Sequence, residues 1–174
     1  LRVPLTQARN ADGTTVAGSA SSGVFGISSG GWGSGTLALV GEAASGNTKT
    51  STALIALTVP ENAQETAYDT GSKSWTISVD ARVSVIAATS ATLDMEVYRS
   101  DHNNGVSGSD LVTTSAQDIN SATWATKTFT LTATNIEPGD TLIVLLRTVV
   151  NDSTGANSSV AQIGGIKATY NGKM

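Results

Sequence analysis

The segment from Trp75 to Val85 constrains the fold more than any other. Trp75, Ile77, Val79, Ala81, Val83 and Val85 recur at every second position, with Thr76, Ser78, Asp80, Arg82 and Ser84 between them. A side-chain period of two belongs to a β-strand with one buried and one wet face. The pattern returns at 92–98, where Leu93, Met95 and Val97 alternate with Thr92, Asp94, Glu96 and Tyr98. No stretch of the chain carries a comparable helical stripe. The expectation is an all-β, antiparallel, jelly-roll-like sandwich.

Strands are expected at about 36–43, 50–59, 74–86, 91–99, 110–114, 127–134, 141–150 and 160–170, about eight in all, each bounded by turn residues. The segment 59–73 is a long connection in which 61–68 has room for one helical turn. Glu137-Pro138-Gly139-Asp140 places Pro then Gly at the two central positions of a type II turn. The strand at 141–150 is apolar on both faces, which places it centrally in its sheet.

Residues 1–35 differ from the rest. Ten of the 18 glycines lie between Gly13 and Gly46. Such sequence buries little area and loses much entropy on ordering. The division expected is an extended Gly/Ser-rich N-terminal arm at 1–35 and a sandwich domain at 36–174. Apolar residues spaced along the arm are candidate partner contacts: Leu1, Val3, Leu5, Phe25, Ile27 and Trp32, with Val24 beside them. They dock either on neighbouring subunits or on this domain's own surface.

Composition removes several function classes. The 174 residues contain no Cys, so disulfides and thiolate chemistry are absent. Net charge is −4 and no basic cluster exists, which argues against nucleic acid. No apolar run approaches the about 20 residues of a membrane-spanning helix. No secretory leader pattern opens the sequence.

Candidate chemistry is sparse. Asp94 and Glu96, two apart on one strand, share a face at about 7 Å. That spacing suits glycosidic acid–base work, or a solvated face on which Arg82 or Arg99 pairs with them. Asp101, Asn103, Asn104 and Asp110 fill a polar loop whose oxygens suit Ca²⁺, yet the EF-hand spacing fails. Asp101, Asn103 and Asp110 are therefore weak metal candidates, and Asn151-Asp152-Ser153 with Thr154-Gly155 is a similar loop. His102, the single histidine, lies beside Asp101 without a nucleophile motif. Trp32, Trp75 and Trp124 raise sugar stacking, but Trp75 is in phase with Ile77 and Val79 and reads as core. No motif calls for a cofactor.

The order ATLDMEVYRSD, then GSDLVTTSAQDIN, then KTFTLTATNIEPGDTLIVLLRTVVND, closing on IGGIKATY, resembles β-sandwich structural proteins of tailed-phage virions. The opening LRVPLTQAR is similar as well. The resemblance spans about three quarters of the chain, most strongly from Trp75 onward, and carries no catalytic motif. It implies a non-enzymatic head decoration or cement protein on the capsid surface. The implied partners are the major capsid protein and neighbouring copies, as a homotrimer. The alternatives are a carbohydrate-binding module or adhesin-like sandwich, and a fibre or tail component.

Overall fold

The computed structural model describes residues 1–3, 8–10, 23–28, 38–63, 74–84, 88–101, 105–106, 108–155 and 158–171. They form eleven strands and no helix: β1 (Arg2–Val3), β2 (Gly26–Ser28), β3 (Ala38–Val40), β4 (Asn47–Thr58), β5 (Trp75–Val83), β6 (Ser90–Asp101), β7 (Gly105–Val106), β8 (Gln117–Asp118), β9 (Ala125–Leu131), β10 (Thr141–Asp152) and β11 (Ala161–Tyr170).

The strands make two antiparallel sheets. One runs β2-β3-β11-β5-β9, with β1 also paired to β11. The other runs β4-β10-β6-β7, with β8 also paired to β6. From β3 to β6, and again from β9 to β11, each successive strand crosses to the opposite sheet. That is the wrapping of a jelly roll. The expected all-β sandwich is the observed fold.

The alternation in the sequence is the alternation of burial. Trp75, Ile77, Val79, Ala81 and Val83 are all at most 2% exposed. They face Leu93, Met95 and Val97 of β6 and Leu142, Val144 and Leu146 of β10 across one core. Val85 lies outside the described residues. β10 pairs with β4 on one side and β6 on the other, so it is central as its two apolar faces required. The expected turn forms: Gly139 has φ 86°, and Asp140 N donates to Glu137 O at 3.1 Å.

One expectation needs correction. The strand expected at 110–114 shrinks to a single bridge between Val112 and Leu131. Asp110 takes the backbone N–H groups of Val97 and Val112 on its side chain, and backbone bonds remain only at Leu111 and Thr113. Of the segment 61–68, where one helical turn is expected, residues 64–68 lie outside the described residues, and 60–63 form a turn closed by Ala63 N to Pro60 O.

Where it is described, the segment expected as an arm docks on this domain's own surface, one of the two expected outcomes. β1 and β2 belong to the same sheet as β3 and β11. Arg9 exchanges two 2.7 Å backbone bonds with Leu54, and Gly23 O accepts from Thr52 N, so both segments run along the outer edge of β4. Phe25 is fully buried in the common core. A free row of N–H and C=O groups on β4, β3 and β11 gives these segments backbone partners that solvent-exposed chain lacks. Of the candidate partner contacts, Val3 pairs with Ile166 and Ile27 with Leu39 through the backbone. Leu1 is 47% exposed and bonds Ala168 at both its N and its O. Leu5 and Trp32 lie outside the described residues.

Candidate functional site

The outer face of the six-stranded sheet carries a cleft of about 520 Å³ lined by Arg2, Ser78, Asp80, Thr126, Gly165, Ile166 and Lys167. Strand register explains the set. The outward phase of β5 presents Ser78 and Asp80. β9 sets Thr126 opposite Asp80, and β11 sets Lys167 opposite Ser78. β1 then adds Arg2 opposite Lys167. Four strands thus bring hydroxyls, one carboxylate and two cations onto one surface.

The hollow itself comes from a break in β11. The register shifts between Ile163 and Ile166, which marks a bulge at Gly164 and Gly165. Neither residue carries a side chain to fill the space. A Cβ on Gly165 would lie 3.0 Å from Asp80 Oδ2, and one on Gly164 would lie 3.2 Å from Trp124 Cζ3. Asp80 Oδ1 accepts the Thr126 hydroxyl at 2.6 Å, and the hydroxyls of Ser78 and Thr128 are 3.1 Å apart. The Asp80 carboxylate is therefore held in place at the cleft wall.

Trp124 borders this face. The Arg82 guanidinium carbon stands 4.7 Å over its ring, and its six-membered ring packs against Gly164. Arg82 is fixed in turn by Gln162 Oε1 at 2.8 Å. Trp75 is buried and stacked on Tyr170, with centroids 4.8 Å apart and planes 18° apart. Trp75 therefore offers no free stacking face, Trp124 has Arg82 over one side of its ring, and Trp32 lies outside the described residues.

Asp94 and Glu96 share the outer face of β6 as expected, but their partners differ from those expected. Arg147 lies directly opposite Asp94 in the register and pairs with it. Arg82 is on the other sheet, and Arg99 pairs with Asp101 at 3.2 Å and Asp140 at 3.4 Å. Glu96 accepts the Tyr98 hydroxyl at 3.0 Å. That hydrogen bond and the Glu96 charge push the Tyr98 phenol above its ordinary value. Both carboxylates are engaged by neighbours. A hollow of about 240 Å³ beside them is lined by Thr52, Met95, Leu145 and Leu146 as well as by Asp94, Glu96 and Arg147.

Of the loop expected to suit Ca²⁺, only Asp101 and Asp110 among its oxygen candidates are described. Asp101 turns to Arg99, Asp110 caps two backbone N–H groups, and Asn103, like His102, lies outside the described residues. No group of three or more His, Cys, Asp or Glu side chains able to hold a metal occurs among the described residues.

Sequence reading missed the cleft. Its signal was the Gly164-Gly165 pair inside an apolar strand pattern, which marks a bulge or close approach. The convergence of Arg2, Asp80, Thr126 and Lys167 depends on strand order, which alternation does not encode.

No family model matches the chain, and no curated protein matches it. Among solved structures it is similar to the CBM22-1 xylan-binding domain of Paenibacillus barcinonensis Xyn10C, with TM-score 0.47 and 14% identity over 86% of this chain and 81% of that one. It is also similar to a family 16 carbohydrate-binding module, with TM-score 0.44 and 12% identity over 83% and 84%.

Proposed function

We propose that this chain is a non-catalytic binding domain that takes carbohydrate in the cleft around Asp80. The observation that carries this reading is the cleft's chemistry. Its volume of about 520 Å³ suits a short saccharide, and its walls are hydroxyls, a carboxylate, a guanidinium and an ammonium. Sugar hydroxyls both donate and accept, and this lining supplies both functions. Among the described residues a single carboxylate lines the cleft, whereas glycoside hydrolysis ordinarily needs two. Binding here is led by hydrogen bonds, since Trp75 is buried and Arg82 lies over the Trp124 ring.

The test is a glycan array followed by calorimetry on the hits, with native chain and D80A. The expected result is a saccharide ligand whose affinity falls about tenfold in D80A, the scale of a lost charge-assisted hydrogen bond. An array without hits, or equal binding by D80A, sinks the reading.

A second reading is a virion surface protein that docks on a capsid lattice. The observation that favours it lies on the other sheet. Leu54, Ile143, Leu145 and Val149 are all half-exposed on the outer face of β4 and β10, with Leu54 and Leu145 directly paired. An aliphatic row rimmed by Thr52, Asp94 and Arg147 suits a protein neighbour. Gradient sedimentation of the source material separates the two readings. Co-migration with capsid-sized particles at many copies, abolished by L145E, supports docking; a chain that stays at the top of the gradient rejects it.

A further inference from the structure

We propose that the saccharide taken by the cleft is acidic: a uronic acid whose carboxylate is held between Arg2 and Lys167 while its ring hydroxyls meet Asp80. The inference rests on the carbohydrate reading above and names the class of sugar. It starts from the way β1 lies on β11. Leu1 and Ala168 exchange both backbone bonds, at 2.8 and 2.9 Å. The next pair, Arg2 and Lys167, therefore sits at a non-hydrogen-bonded position. There facing Cα atoms come within about 4.5 Å and side chains stand closest. Ile166 and Ala168 are buried, so Lys167 points outward, and Arg2 opposite it shares that face. Like charges directly opposite each other weaken a strand pair, so the position calls for an anion.

The protein does not supply one. Lys49 pairs with Glu42, Arg99 with Asp101 and Asp140, and Arg147 with Asp94. Arg82, on the same sheet face, is occupied by Gln162 and Trp124. Among the described residues no carboxylate ion-pairs with Arg2 or Lys167. Both side chains are exposed and both line the cleft. A chain of net charge −4 thus keeps two unpaired cations side by side in a hollow of ligand size.

Asp80 limits which anion fits. Lys167 is registered against Ser78, and Asp80 follows two positions along β5 on the same face, about 7 Å on. At that distance a carboxylate repels a densely charged polyanion but still accepts hydroxyl protons. A uronic acid presents one carboxylate at one end of its ring and hydroxyls at the other. The guanidinium fork matches a planar carboxylate with two parallel N–H bonds, and the ammonium adds a point charge. The net negative charge of the chain acts in the same direction, against nucleic acid and heavily sulfated chains.

The test is calorimetry of the full chain with oligogalacturonate, oligomannuronate and hyaluronan oligosaccharides, each beside its carboxyl-reduced, neutral form. At least one uronate is expected to bind about tenfold or more tightly than its reduced form, the scale of a lost charge-assisted hydrogen bond. That affinity is expected to weaken as salt rises. R2Q and K167Q are each expected to lower it about tenfold without loss of thermal stability, because either change relieves the repulsion between the two cations. Reduced and acidic forms that bind equally leave the carbohydrate reading standing and overturn this inference. So do neutral glycans that bind where no uronate does, and R2Q and K167Q chains that bind the uronate as the native chain does. Binding of no glycan of either kind overturns both.

Discussion

Asp140 shows how far a residue's role can exceed its motif. The Pro138-Gly139 turn was legible because its chemistry is local. The side chain's task was not, because its cation arrives from β6, 41 positions away in sequence. Asp140 is fully buried, accepts Glu137 N at 2.8 Å and pairs with Arg99 at 3.4 Å. Its backbone carbonyl also accepts Val59 N, which ties the end of β4 to the start of β10. D140A takes from the Arg99 guanidinium its buried carboxylate, leaving it Asp101, and leaves a turn N–H unpaired. Removing one partner of a buried pair costs about 3–5 kcal/mol, less here because Arg99 keeps Asp101 and some solvent access, so about 1–3 kcal/mol is expected. D140N should cost less, since its amide oxygen still caps Glu137. Urea unfolding of both variants checks this; equal stability of D140A and native chain refutes the keystone role. Asp94 and Glu96 teach the same lesson. Their common face followed from a spacing of two, but Arg147 as the partner followed from register, which a single strand's pattern does not contain.

At the scale of elements, legibility tracked strand length. β5, β6 and β10 have nine or twelve residues, long enough for the period of two to declare itself. β1, β2, β7 and β8 have two or three residues and show no period, so only backbone pairing defines them. β11 falls between these cases. Its apolar pattern was readable, but the bulge at Gly164 and Gly165 reshapes the face that the proposed ligand meets. Gly165 is exposed, so a side chain there costs little core packing. It does strike Asp80, because a Cβ would come within 3.0 Å of Oδ2. G165V is therefore expected to lower stability by only about 1 kcal/mol while blocking saccharide binding in the cleft. Thermal melts and calorimetry read the two effects separately. Native-like affinity in G165V would move the ligand away from the bulge.

At the scale of the molecule, the sheets and the N-terminal segments are one packing problem. A sandwich leaves a row of unpaired backbone groups on each edge strand, and an uncovered edge invites other chains to pair with it. Here Arg9 and Gly23 cover β4, and Glu42 holds Gly23 N while pairing with Lys49. The glycine-rich composition of 1–35 spoke for an arm, because composition reports what a segment can bury alone. It does not report what a neighbouring edge supplies. Phe25 decides between the two pictures. As an anchor for another subunit, its loss would weaken assembly and leave the isolated chain's stability intact. As part of this core, fully buried between the segment on β4 and strand β2, its loss leaves a cavity. F25A is then expected to cost the isolated chain about 3–5 kcal/mol. The loss should be the same at every protein concentration, since no second chain takes part. Denaturant midpoints across a range of concentrations make the measurement. An F25A chain as stable as the native one when alone, and impaired only in assembly, would return Phe25 to the role of an intersubunit anchor.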